Sequence, residues 1–131
     1  MFDVTNKTKS KPPISGLLFE QIKKEVLGEN YSLSLVFCSN SLSQKLNLQY
    51  RGKNKPTNIL SFPLEEKNGE IFLNLSIIKK QAKTKGVKDA DYLIYLFIHG
   101  LLHLGGFEHG RTMTNKEKFW LKKFDLPEEV L

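Results

Sequence analysis

The chain has 131 residues, 40% hydrophobic and 26% charged, the ordinary make-up of one globular domain, residues 1–131. No apolar run approaches the roughly 20 residues that a membrane span requires, and the longest, Tyr92 to Leu104, is broken by histidines. Twenty basic against fourteen acidic residues give a formal net charge of +6, a balance that favours an anionic partner, nucleic acid first.

Met1-Phe2-Asp3-Val4-Thr5 has neither the charged start nor the apolar core of a signal peptide. Cys38 stands alone, so no intrachain disulfide forms, which suits a reducing cytosol; its apolar run, Leu33 to Cys38, makes it a small core residue. The expected location is therefore cytoplasmic, with no membrane contact.

In chain order, Met1 to Pro13 is polar, and Pro12-Pro13 breaks the chain before a first helix. Ile14 to Leu27 carries Leu17, Leu18, Ile22, Val26 and Leu27 as a stripe, with Ser15 as cap and Gly28 as stop. Tyr31 to Cys38 alternates and then runs apolar, a strand. Ser39 to Tyr50 reads as a short helix with Leu42, Leu46 and Tyr50 on one side, followed by a basic loop from Arg51 to Pro56. Asn58 to Phe62 reads as a strand ended by Pro63. Asn68-Gly69 is a hairpin turn signal, and Glu70 to Asn74 is the returning antiparallel strand. Helices follow over Leu75 to Lys85, Asp89 to Leu104 and Thr112 to Phe124. Strands and helices mix without a regular βαβ repeat, so the fold class is α+β: a small mixed sheet packed with helices.

All three histidines fall in His99-Gly100-Leu101-Leu102-His103-Leu104-Gly105-Gly106-Phe107-Glu108-His109. His99 and His103 share one helix face. Gly105-Gly106 interrupts the helix, and a glycine in the left-handed region turns the chain back to bring His109 to a third corner. Three imidazoles leave a fourth tetrahedral position for water, the mark of a catalytic rather than a sealed zinc site. One Zn2+ is the expected ion; nickel and copper also take such nitrogens.

The spacing equals that of the metzincin proteases, H-E-x-x-H-x-x-G-x-x-H, with Gly106 at the turning glycine. The protease general base is replaced by Gly100, and losing such a base costs a factor of roughly 10² to 10⁴. A glycine here also costs the helix about 1 kcal/mol relative to alanine. Two explanations stand side by side: close packing of the helix on the sheet, and space over the metal for a bulky substrate.

The histidine block resembles the signature of the YbeY family, bacterial single-strand-specific endoribonucleases of ribosomal RNA maturation, approximately H-G-x-L-H-L-x-G-[YF]-[DE]-H. Leu46-Asn47, Tyr50-Arg51-Gly52-Lys53 and Pro56-Thr57-Asn58-Ile59-Leu60-Ser61-Phe62-Pro63 resemble that family's L-N-x-x-Y-R-G-x-x-x-x-T-[DN]-V-L-S-F-P stretch, and Gly69-Glu70-Ile71 its G-D-I. Glu108, Phe107 and Asn58 stand where aspartate, tyrosine and aspartate are commoner.

The resemblance implies a zincin-like metal helix with zinc on His99, His103 and His109. It implies endonucleolytic hydrolysis of RNA in 16S ribosomal RNA processing, ribosome maturation and quality control, with the ribosome as partner. Arg51 matches the family's arginine and is the candidate catalytic residue, gripping phosphate oxygens and stabilising negative charge in the transition state. Lys53 and Lys55 are read as backbone-tracking charges or as solvated surface. Ser61 points either into the cleft or to the polar side, and Phe62, Phe72 and Phe107 serve the core or stack bases. No general base is placed by sequence, so attack by metal-activated water and attack by the RNA's own 2′-hydroxyl both stand. The competing readings are a metallopeptidase, favoured by the histidine spacing, and a non-catalytic assembly factor whose metal pins its C-terminal helices.

Overall fold

A computed structural model describes residues Met1–Leu131. In chain order the elements are β1 (Phe2–Asn6), α1 (Gly16–Leu27), β2 (Ser32–Phe37), α2 (Asn40–Arg51), β3 (Ile59–Glu65), β4 (Asn68–Leu73), α3 (Leu75–Lys85), α4 (Asp89–Leu104) and α5 (Arg111–Lys123), with a last 3₁₀ turn at Glu128–Val130. The four strands lie in the order β1-β2-β4-β3. β1 and β4 run parallel to β2, and β3 runs antiparallel to β4, which makes the α+β class and the mixed sheet plain.

Alternation puts one row of side chains on the helix-covered face: Leu33, Leu35 and Phe37 stand opposite Gly69, Ile71 and Leu73, which stand opposite Pro63, Ser61 and Ile59. α4 packs on this face, and α1, α3 and α5 pack around α4. The helix buries Tyr92, Leu93, Ile94, Leu96, Phe97, Ile98, Leu101 and Leu102, so it is apolar almost all round, as a central helix must be. Phe19 of α1 meets Phe97 edge-on at 4.9 Å.

Gly100 settles its two explanations. A Cβ there would lie 2.8 Å from Ile59 Cδ1, 2.8 Å from Ser61 Oγ and 3.1 Å from Ile71 Cδ1. The missing side chain lets α4 sit down on β3 and β4; it is a packing glycine, and the space it makes faces the sheet.

Three expectations change. The N-terminal segment forms β1, an edge strand whose residues are exposed except half-buried Phe2; its alternation is only two apolar residues long, Phe2 and Val4, too short to mark a strand. The hairpin turns at Glu66-Lys67, and Asn68 and Gly69 already belong to β4. Gly69 is needed for close approach instead, since a Cβ there would come within 2.6 Å of Tyr31 Oη and 3.0 Å of Leu104 Cδ2. Pro63 does not end β3, which continues to Glu65 with an irregularity between Pro63 and Glu65. β3 is an edge strand, where a residue without an N–H is tolerated.

The helices keep their expected places. Ser15 and Ser39 cap α1 and α2 by accepting from the N–H groups of Leu18 and Leu42. Asn74 ends β4 by capping α3 through the Ile77 N–H. Cys38 is buried, and desolvation pushes its thiol up to about 11, which fits the core role. No helix is long and apolar enough to cross a membrane.

Candidate metal centre

His99 and His103 lie one turn apart near the C-terminal end of α4. The helix stops in a Schellman arrangement: the Gly106 N–H donates to the His103 carbonyl and the Phe107 N–H to the Leu102 carbonyl, each at 3.0 Å. Of the two glycines, only Gly106 enters the left-handed region, at φ 95°; Gly105 has φ −77°. The turn carries the chain back over the helix end, and the His109 ring comes to rest 4.8 Å from His103 and 5.3 Å from His99, centroid to centroid. Ligating nitrogens of all three lie within 4.8 Å of one another. The expected triad is thus brought together.

The outward nitrogens are held in place. His103 Nδ1 lies 3.0 Å from the Phe107 carbonyl oxygen, and His99 Nδ1 lies 2.7 Å from Glu117 Oε2. A carbonyl only accepts, so His103 carries its proton on Nδ1; the carboxylate draws the His99 proton to Nδ1 likewise. In the neutral rings both Nε2 atoms then present lone pairs, yet they face each other at 3.1 Å. Two lone pairs so placed repel unless a cation lies between them. Nitrogens bound at 2.0–2.1 Å in a tetrahedral zinc site sit about 3.3 Å apart, so the pair fits such an ion. Burial first, then the neighbouring His99 and His109 and the more distant Arg51, hold the His103 pKa below its usual value, against the opposing pull of the Phe107 carbonyl. The neutral, ligating form is favoured.

Glu117 is the residue of the candidate site that sequence reasoning missed. It is buried, and the inward face of α5 is Met113, Glu117 and Leu121, spaced four apart. A lone carboxylate in the middle of an apolar stripe, and the only acidic residue of α5, was the available signal. A carboxylate behind a ligating histidine fixes the ring and raises its basicity. Tyr95, one turn before His99, lies against the same group: burial, then the charge of Glu117, push its hydroxyl pKa up.

Arg51 is the last residue of α2, ended by Gly52 in the left-handed region at φ 70°. It lines a cleft of about 330 Å³ with Ser61, Pro63, His103, Gly106, Phe107, Glu108 and His109. The Arg51 side chain has no ion pair or hydrogen bond of its own, so its charge is available to the cleft. Ser61 points to the cleft side, its hydroxyl 3.4 Å from the Gly100 carbonyl. Lys53 and Lys55 are exposed in the following loop and do not line the cleft. Phe107 lines it, whereas Phe62 and Phe72 pack together on the opposite face of the sheet.

A family model described as endoribonuclease YbeY matches residues 3–125. The chain belongs to the endoribonuclease YbeY family. An endoribonuclease YbeY from Persephonella marina is 35% identical over 119 residues, covering 85% of this chain and 75% of that one. One from Sulfurovum is 36% identical over 115 residues, covering 78% of each, and one from Campylobacter jejuni is 36% identical over 107 residues, 76% of this chain and 79% of that one. The solution structure of a Thermotoga maritima protein superposes with a TM-score of 0.65 at 28% identity, over 99% of this chain and 89% of that one. The YbeY match spans β1 through α5 and so includes the arginine, the three histidines and Glu117.

Proposed function

We propose that this chain is a metal-dependent endoribonuclease that cleaves single-stranded RNA, acting in the cytoplasm on ribosomal RNA during 16S processing, ribosome maturation and quality control. The observation that carries the reading is the pair of inward-facing His99 and His103 nitrogens, 3.1 Å apart, beside a cleft that His103 and His109 line together with an unpaired arginine. Membership of the YbeY family supports RNA as the substrate.

His99, His103 and His109 are the residues that would hold the ion, and zinc suits three imidazoles best. When bound, such an ion lowers the pKa of coordinated water to about 7 and polarises a phosphoryl oxygen. The rest is done by the chain. Glu117 and the Phe107 carbonyl hold two of the rings in their ligating orientation. Arg51 binds the scissile phosphate through parallel N–H donors and balances the negative charge that grows on its oxygens. Ser61 and Pro63 of β3 line the cleft, as do Phe107 and Glu108 of the turn after α4.

The metallopeptidase reading keeps the histidine spacing but has no general base at position 100. A side chain at position 100 runs into Ile59, Ser61 and Ile71, so the protease glutamate has no place there. The assembly-factor reading draws on the His99–Glu117 link between α4 and α5, which an ion would reinforce.

The test is metal analysis of the untagged protein coupled to cleavage of single-stranded RNA and of casein, with and without chelator. Stoichiometric metal and chelator-sensitive RNA cleavage are expected, with His109→Ala losing both. Peptide cleavage without RNA cleavage overturns the reading. Cleavage of neither, with unfolding on chelation, supports the assembly factor instead.

A further inference from the structure

On the other face of edge strand β3 lies a second depression of about 290 Å³, lined by Leu46, Tyr50, Phe62, Pro63, Leu64, Glu70 and Phe72. Tyr50 is 60% exposed and Leu64 52%, so the walls are wet apolar surface. The rings of Tyr50 and Phe62 lie 4.9 Å apart at 53°, and those of Phe62 and Phe72 5.8 Å apart at 70°. None is stacked face to face on another. Glu70, directly across the ladder from Phe62, has no ion pair or side-chain hydrogen bond.

The depression adjoins the metal cleft at Pro63 and at the end of α2. Pro63 lines both, and Tyr50 and Arg51 are consecutive at the end of α2, Tyr50 serving the groove and Arg51 the cleft. A strand of RNA whose phosphate is held by Arg51 therefore passes the end of α2, where Tyr50 lines the aromatic groove. The space is at the small end of ligand sites, which suits a single flat ring system better than a helix of a partner protein.

We propose that this groove is a nucleobase subsite that stacks a base flanking the scissile phosphate and prefers guanine. The proposal rests on the RNA-cleaving reading above. Base–aromatic stacking supplies affinity whatever the base. The free Glu70 carboxylate supplies selectivity. Guanine offers two parallel donors, N1–H and the N2 amino group, to two carboxylate oxygens. Adenine and cytosine set a ring lone pair beside their one amino group, and uracil flanks its one N–H with two carbonyls.

The test is equilibrium binding of the metal-loaded full chain to short, uncleavable 2′-O-methyl oligonucleotides, alike except for one central guanine, inosine or uracil. Tyr50→Ala and Glu70→Gln are compared with Phe119→Ala, an exposed aromatic of α5 away from the groove. Tyr50→Ala is expected to weaken binding to every oligonucleotide by roughly five- to a hundred-fold. Glu70→Gln should abolish the preference for guanine over inosine and uracil while keeping the stacking affinity. In cleavage, Tyr50→Ala should raise KM with kcat little changed.

Tyr50→Ala binding no more weakly than Phe119→Ala overturns the subsite. So does RNA binding unchanged beside lost self-association, which would make the groove a contact between copies. A wild-type chain that binds these oligonucleotides but cleaves no RNA fails the functional reading alone; one that cleaves RNA with Tyr50→Ala indistinguishable fails the subsite alone.

Discussion

Glu117 of α5 places a carboxylate oxygen 2.7 Å from Nδ1 of His99 on α4, eighteen residues earlier in the chain. This contact ties the last helix to the metal helix and turns Nε2 of His99 toward the other two imidazoles. Glu117→Gln should keep the fold and weaken metal binding by about 10- to 100-fold, the usual effect of losing such a partner. Competition with a chromophoric chelator measures it; unchanged affinity would reduce Glu117 to a buried packing group.

Arg51→Ala should leave metal content and the circular dichroism spectrum unchanged, because the side chain is exposed and unpaired. RNA cleavage should fall by roughly 10²- to 10³-fold, the scale for one lost charge-stabilising donor. Arg51→Lys should recover only part of it, since an ammonium does not reproduce the forked donor. Equal cleavage by wild type and Arg51→Ala would remove this residue from the mechanism.

Gly100→Glu recreates the protease pattern in sequence, and the fold should reject it. The new Cβ alone would stand 2.8 Å from Ile59 and Ser61, and a buried carboxylate would follow. A loss of about 3 kcal/mol or more is expected, from overpacking and burial of an unpaired charge. Chemical denaturation measures the loss, and a casein assay of the surviving folded fraction should show no activity. A stable, peptide-cleaving variant would revive the metallopeptidase reading.

Cys38 should resist thiol reagents in the native protein. With its pKa raised to about 11 by desolvation, a thiolate fraction of only about 10⁻³ is present at pH 8, and the thiolate is the reactive form. The sign follows from the shift: ionisation in the fold is delayed from the ordinary value near 9 toward 11, so reactivity rises only above that range. Fast labelling at pH 8 without denaturant would show that the β2 end opens readily.

The helix spans were legible from their periods and stops, their buried faces less so: Leu17 and Tyr50, read on apolar stripes, are 78% and 60% exposed. Ser15 caps α1 as expected, and the runs Leu75–Lys85 and Asp89–Leu104 appear with their expected bounds, whereas Asn74, read as the end of a strand, caps α3. Strand β1 was not, because an edge strand with one half-buried residue needs no apolar pattern to pair. The glycines misled where their reason was tertiary. Gly69 suggested a turn, yet it stands in a strand because Tyr31 and Leu104 occupy the space where its side chain would be.

The histidine triad was readable from spacing alone, since one helical turn and one left-handed glycine are local geometry. Arg51 was readable only through the family pattern, because nothing local says that the end of α2 meets the end of α4. What the sequence determined by itself was the cluster of three histidines that could hold an ion, the class of fold and the basic character of the molecule. What only the tertiary structure decided was the company these residues keep: Glu117 behind His99, Arg51 beside His103, and Tyr50 turned to a second groove. Those relations depend on how α2, α4 and α5 pack on one sheet, and contacts between distant segments leave no periodic trace in the chain.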